Sequence, residues 1–233
     1  EARGLDRAEV GVTVDYWPVL DVRQPGAHDV IGDRALGDEP MQVAALGRAV
    51  LDGLARAGVA GCIKHMPGHG RAQADSHKEL PTVEASDEEL EADIEPFRTL
   101  AHAPIGMTAH LRYLAWDAEN PATQSAFIVG EIIRKRIGFD GLLLSDDIYM
   151  EALSGSIPER GVKALAAGCD VVLNCHGGVA DMAAVASALP GTSGEAAARL
   201  DRALAATGGE PAGDHEALLA NRDELLELAR HDA

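Results

Sequence analysis

Lys64-His65-Met66-Pro67-Gly68-His69-Gly70, followed by Asp75-Ser76-His77 and Leu80-Pro81, gathers three histidines, a lysine and a carboxylate within fourteen residues. Such groups can move protons, hold polar substrate atoms or ligate a metal. His65 and His69 are spaced i, i+4, which on a helix would make a metal pair. Pro67-Gly68 between them forbids that helix, so no metal is expected here. A loop whose imidazoles only satisfy buried backbone groups would account for any one histidine. Five polar groups this close together point instead to a catalytic loop opening from a strand end.

A second cluster ends the run Gly141-Leu142-Leu143-Leu144-Ser145-Asp146-Asp147. Its apolar body reads as a buried strand, and its last two residues are adjacent carboxylates. Neighbours on a strand point to opposite faces, so at most one of Asp146 and Asp147 faces a site. The other is expected to bond backbone or orient a partner. Helix capping by Ser145-Asp146-Asp147 is the competing explanation.

The elements that must carry these groups follow from periodicity. Short apolar runs at Val10 to Leu20, Val59 to Ile63, Ile105 to Thr108, Leu142 to Leu144 and Val171 to Leu173 alternate with helical patterns, which predicts βα units and a parallel sheet. Met41 to Ala57 sets Val43, Leu46, Val50 and Leu54 on one face between Pro40 and Gly58. Ser86 with Glu89 forms a capping box before Leu90, Ile94 and Phe97. Ser125 opens a helix with Ile128, Ile132 and Ile133 inward, ending near Gly138, and Pro158 and Gly168 frame another. From about Gly191 the pattern predicts two terminal helices (191–233) against the outside of the sheet. Polar residues follow each strand: Asp21, then His65, His110, Asp146 with Asp147, and Asn174 with His176. In a barrel, such strand ends build one site on one face. A doubly wound sheet would also gather ligands there, but no glycine-rich dinucleotide turn is present.

The 233 residues suffice for one α/β domain with a real core. A formal charge of -18 argues against nucleic acid or an anionic membrane as a partner. No apolar stretch reaches the ~20 residues of a bilayer span, and no signal peptide opens the chain. Cys62, Cys169 and Cys175 have no metal spacing and leave one unpaired in any disulfide scheme, so a reducing cytoplasm is expected.

These motifs resemble glycoside hydrolase family 3. The run Ile132-Ile133-Arg134-Lys135-Arg136, then Gly141 to Asp146 after four residues, is similar to the family's nucleophile signature. Lys64 to Gly70 with Asp75-Ser76-His77 resembles, more narrowly, the bacterial β-N-acetylglucosaminidases of peptidoglycan recycling, the NagZ type. Pro18-Val19-Leu20-Asp21, Ile31-Gly32-Asp33-Arg34 and Met107-Thr108-Ala109-His110 fall in the matching order, and the similarity runs from about Val10 to Cys175. The resemblance implies a (β/α)8 TIM-barrel fold, of which about five βα units are present. It makes Asp146 the nucleophile of a covalent glycosyl-enzyme and His77, paired with Asp75, the acid/base. An imidazole can protonate the leaving oxygen and later deprotonate water while the carboxylate holds the ring. It would replace the second carboxylate of a retaining glycosidase. Arg34, Lys64 and His65 would hold sugar hydroxyls, Met107 would line the sugar pocket, and His110 would be structural. The expected substrate is a small saccharide or muropeptide, without a cofactor, and the glycine-rich loop is expected to order over it.

The family barrel has eight strands, against five countable here. The resemblance implies that the chain starts just before the fourth, without the Asp-Gln-Glu-Gly-Gly-Arg segment that also binds sugar, so it is expected to be a fragment or to need a missing barrel segment to close. Tyr149, where the family prefers a small or polar residue, would narrow the pocket or pack outside it, and Leu36 stands where relatives often carry an aromatic. The leading expectation is a retaining exo-β-N-acetylglucosaminidase acting on 1,6-anhydro-N-acetylmuramyl fragments. Its rivals are a family 3 phosphorylase, a non-catalytic half-barrel remnant and, last, a metal-dependent hydrolase using His65, His69 and Asp75.

Overall fold

The computed structural model describes residues 1–209 and 212–231. The outermost positions of the expected helical region 191–233, together with 210–211, lie outside the described residues. Five strands, β1 (Val14–Asp15), β2 (Ala60–Met66), β4 (Ile105–Thr108), β6 (Leu142–Asp147) and β7 (Val171–Leu173), form one parallel sheet in that order. It curls into about half of a barrel, with β1 and β7 at its edges. Two short strands, β3 (Thr82–Val83) and β5 (Arg112–Tyr113), pair beside it.

The two faces of the sheet bury different clusters, as period-two alternation requires. Ile63, Met66 and Leu143 face the helical layer with Phe97, Ile133 and Phe139. Ala60, Cys62, Ile105, Met107, Leu142 and Leu144 form the other face. The helical layer comprises α2 (Pro40–Arg56), α3 (Glu91–Thr99), a π-helix (Ile128–Ile137) and α4 (Ile157–Ala167). Pro40 stands in the first turn of α2, and the Ser156–Glu159 capping box opens α4, which Gly168 ends in a left-handed conformation (φ 112°). The remaining helices are α1 (Ala2–Glu9), α5 (Val179–Ala188), α6 (Gly194–Ala205) and α7 (His215–His231).

Several expectations need correction. The first apolar run pairs only at Val14–Asp15, with one further bridge from Val19 to Lys64. Pro18 cannot donate to a ladder there, and Val10 and Val12 are exposed. The buried stripe of α2 is Val43, Ala44, Gly47, Gly53 and Leu54, whereas Leu46 is exposed. The Ser86–Glu89 box closes a turn ahead of α3, which starts at Glu91. Ser125 does open its helix, accepting from the Ile128 amide, but the winding is π. The terminal helices do not both lie outside the sheet. α6 crosses beneath the N-terminal strand ends, where Arg199 and Arg202 bond Asp140 and Asp170, and its Ala203 packs with the second face. Small side chains allow that approach. α7 packs on α1.

Candidate active site

The C-terminal ends of β2, β4, β6 and β7 open onto a cleft of about 270 Å³. Of the expected site residues, Arg34, Lys64, His65, His77, Met107 and Asp146 line it, and Asp75 stands behind His77. His69, Ser76, Asp147, Cys175 and His176 also line it.

Alternation along β6 sorts the two carboxylates. Asp146 shares the face of Leu142 and Leu144 and reaches the cleft, where its Oδ1 accepts from the Asp147 amide at 2.8 Å. Burial pushes the Asp146 carboxyl up, but His65, His110, the Asp147 amide and Lys64 outweigh it and hold the group below the usual carboxylate range. Asp147 is the orienting partner. Its Oδ1 accepts from the amides of Tyr149 (3.1 Å) and Cys175 (3.0 Å), and its Oδ2 meets His176 Nδ1 at 2.6 Å. Beneath it, His110 Nε2 donates to the Asp147 carbonyl at 3.0 Å while Nδ1 meets Thr123 Oγ1 at 2.7 Å. Burial lowers the His110 pKa, which favours the neutral ring. His110 therefore buttresses the strand end that presents Asp146.

The histidine loop is organised by a fully buried carboxylate, Asp21. Its Oδ1 accepts from the amides of His65 (3.1 Å) and His69 (2.7 Å), and its Oδ2 meets His65 Nδ1 at 2.7 Å. Burial works against the charge of Asp21, yet the two histidines prevail and lower its pKa. With Nδ1 committed to Asp21, His65 has Nε2 left for the cleft. His69 is pushed down to about 4, by burial and then by His65, so its ring is neutral at physiological pH. The trio His65, His69 and Asp75 is not assembled: Asp21 ties the two histidines, Asp75 holds His77, and no metal-ligating group of three is found among the described residues.

His77 stands on an arm between β2 and β3. Asp75 Oδ1 accepts the His77 amide at 3.0 Å and meets His77 Nδ1 at 2.8 Å, leaving the ring exposed. The amide and then the imidazole hold Asp75 below the usual carboxylate range. Arg34 ends a short turn, Gly32–Arg34, and bonds the carbonyls of Val30 (2.7 Å) and Ile31 (3.4 Å). Met107 lies on the inward face of β4 and is 2 % exposed. Tyr149 packs outside the cleft lining, its ring 5.7 Å from that of His176.

The Asp147–His176 pair and the tie from Asp21 to both histidines carry no local signature. The only signal was the polar residue after each strand, which marked Asp21 and His176 without their partners. Together the cleft offers an anionic carboxylate, a carboxylate-held imidazole and two cations, the groups needed for displacement at a polar acetal-type centre with proton transfer.

The profile of the Glycosyl hydrolase family 3 N terminal domain matches residues 1–206. A β-hexosaminidase of Tolumonas auensis is 39% identical over 207 residues, covering 85% of this chain and 59% of that protein. One from Alkalilimnicola ehrlichii is 44% identical over 171 residues, covering 71% and 49%. Among solved structures, a glycoside hydrolase family 3 β-N-acetylglucosaminidase from Paenibacillus superposes with TM-score 0.81 at 30% identity, covering 91% of this chain and 44% of that one. NagZ from Neisseria gonorrhoeae in complex with N-trifluoroacetyl-D-glucosamine superposes with TM-score 0.76 at 34% identity, covering 93% and 61%. The chain thus spans about three-fifths or less of the length of these curated relatives. The half-barrel, the order of its motifs and the match over residues 1–206 establish that the chain belongs to glycosyl hydrolase family 3.

Proposed function

We propose that the protein is a retaining β-N-acetylglucosaminidase that releases terminal N-acetylglucosamine from 1,6-anhydro-N-acetylmuramyl fragments in cytoplasmic cell-wall recycling. The observation that carries this reading is the shared cleft of Asp146 and the His77–Asp75 pair. The Asp146 carboxylate attacks the anomeric carbon while His77 gives a proton to the leaving oxygen. His77 then takes a proton from the water that attacks the same carbon and frees Asp146. The pKa lowering at both carboxylates suits these roles, Asp146 as an anionic nucleophile and Asp75 as the group that orients the ring and stabilises its charged form. Arg34, Lys64 and His65 donate to sugar hydroxyls, and Met107 packs on the ring.

The same double displacement with phosphate as acceptor is the second reading. Among the described residues Arg34 bonds only backbone carbonyls, and an imidazole does not repel an incoming anion. Chromophore release from a β-N-acetylglucosaminide, with products identified with and without phosphate, separates hydrolase from phosphorylase. Asp146→Ala abolishes turnover and the covalent intermediate in either case, and an active variant would overturn the nucleophile assignment. Absence of turnover both by this chain and by one extended upstream to a closed barrel would leave a non-catalytic remnant.

A further inference from the structure

The arm that carries His77 is mostly exposed, and among residues 73–80 only Ser76 is buried, at 3 %. A hydroxyl is buried when it has a partner. Ser76 Oγ lies 3.3 Å from His69 Nε2, and the Ser76 carbonyl accepts the Ala152 amide at 3.3 Å. His69 is itself 3 % exposed, its amide is fixed by Asp21, and its Nδ1 finds no protein partner among the described residues. Its one side-chain hydrogen bond is therefore to Ser76. Ala152 belongs to the segment that follows Asp146 and Asp147 beyond β6. One residue, adjacent to His77 in the chain, thus joins the arm to the histidine loop on one side and to the segment after the carboxylates on the other.

We infer that Ser76 is a positioning residue that docks the His77–Asp75 pair over the cleft through His69 and Ala152. The inference rests on His77 being the acid/base. Without the hydroxyl the arm keeps a single long backbone hydrogen bond, and His77 drifts from the leaving oxygen. A displacement of about 1 Å in such a group can cost roughly 10²-fold in rate.

The test uses Ser76→Ala, Ser76→Thr and the unaltered protein on N-acetyl-β-glucosaminides of graded leaving-group ability, with hydrogen exchange of the arm measured in parallel. Ser76→Ala is expected to lose about 10²-fold in kcat/KM, which reports formation of the glycosyl-enzyme, with a poorly leaving alkyl aglycone and only a few-fold with dinitrophenol, which departs without acid assistance. Arm amides exchange faster in Ser76→Ala, the rest of the chain is unchanged, and Ser76→Thr restores both readouts. Equal losses on all aglycones, or an arm whose exchange does not change, would overturn the positioning role while leaving the glycosidase reading intact. An unaltered protein silent on every glycoside would instead refute the activity itself, and the positioning role with it.

Discussion

Replacing Asp21 tests how the histidine loop is held. Its carboxylate is completely buried and serves two backbone amides and one imidazole across 44 and 48 residues of sequence. Asp21→Ala strands both amides and the His65 ring, and breaking a buried charged pair of this kind costs about 3–5 kcal/mol. For a chain of this size, 1 kcal/mol corresponds to roughly 2–4 °C in Tm, so a fall of about 6–20 °C is expected. Asp21→Asn keeps the shape and an oxygen for the two amides, but loses the charge and presents an amide nitrogen to His65 Nδ1. It should cost about 1–3 kcal/mol. It should still depress kcat/KM strongly, because His65 must change tautomer or rotate away from the cleft. The sign with pH is also fixed. Asp21 has a folded pKa below its ordinary 3.8, so its contribution is present above that value and lost as pH falls through the folded pKa. The Tm gap between the protein and Asp21→Asn should therefore be flat from about pH 5 upward and close only under strong acid. Calorimetry across pH, paired with turnover of a β-N-acetylglucosaminide, reads both effects. An Asp21→Asn variant with unchanged Tm and unchanged kcat/KM would refute the reasoning.

Two further perturbations address the same loop. Asp93 is buried against Arg71, 2.6 Å away, and burial, despite Arg71, pushes its carboxyl from 3.8 up to about 6. A raised pKa means stability that is present below about 3.8 and lost as pH rises through about 6, so Asp93→Asn should gain on the unaltered protein across that interval, by roughly 3 kcal/mol at most. A constant difference from pH 4 to 7 in chemical denaturation would contradict this. A Cβ on Gly70 would fall 1.8 Å from the Val22 carbonyl oxygen, a backbone atom that no side-chain rotation can move. Gly70→Ala should cost about 1–3 kcal/mol or more and reduce turnover, and an unchanged Tm would show that the two loop segments part freely.

What sequence made legible here is what short-range physics controls. The apolar runs at β2, β4, β6 and β7 lie in the sheet because a buried parallel strand needs a continuous apolar segment. The Ser86–Glu89 box forms because its partners lie three residues apart. The different partners of Asp146 and Asp147 agree with the two-residue period, although both residues border the cleft. Even the Asp75–His77 pair is a contact between near neighbours. Motif resemblance then supplied the family.

Tertiary structure decided which distant groups complete those local ones. Asp21 reaches His65 and His69 across more than forty residues, Asp147 reaches His176 across 29, and Ser76 meets Ala152 from a different strand connection. It also moved α6 beneath the strand ends and left Leu46 exposed, where amphipathic periodicity had put it inside. Periodicity reports which face of an element is apolar, but a hydrogen bond between strand ends depends on how the sheet is ordered and curled. That order is set by the packing of the whole chain. The sequence alone therefore determined the family, four strands of the sheet and the Asp75–His77 pairing, and the fold alone determined that Asp21 holds His65 and His69 and that Asp147 holds His176.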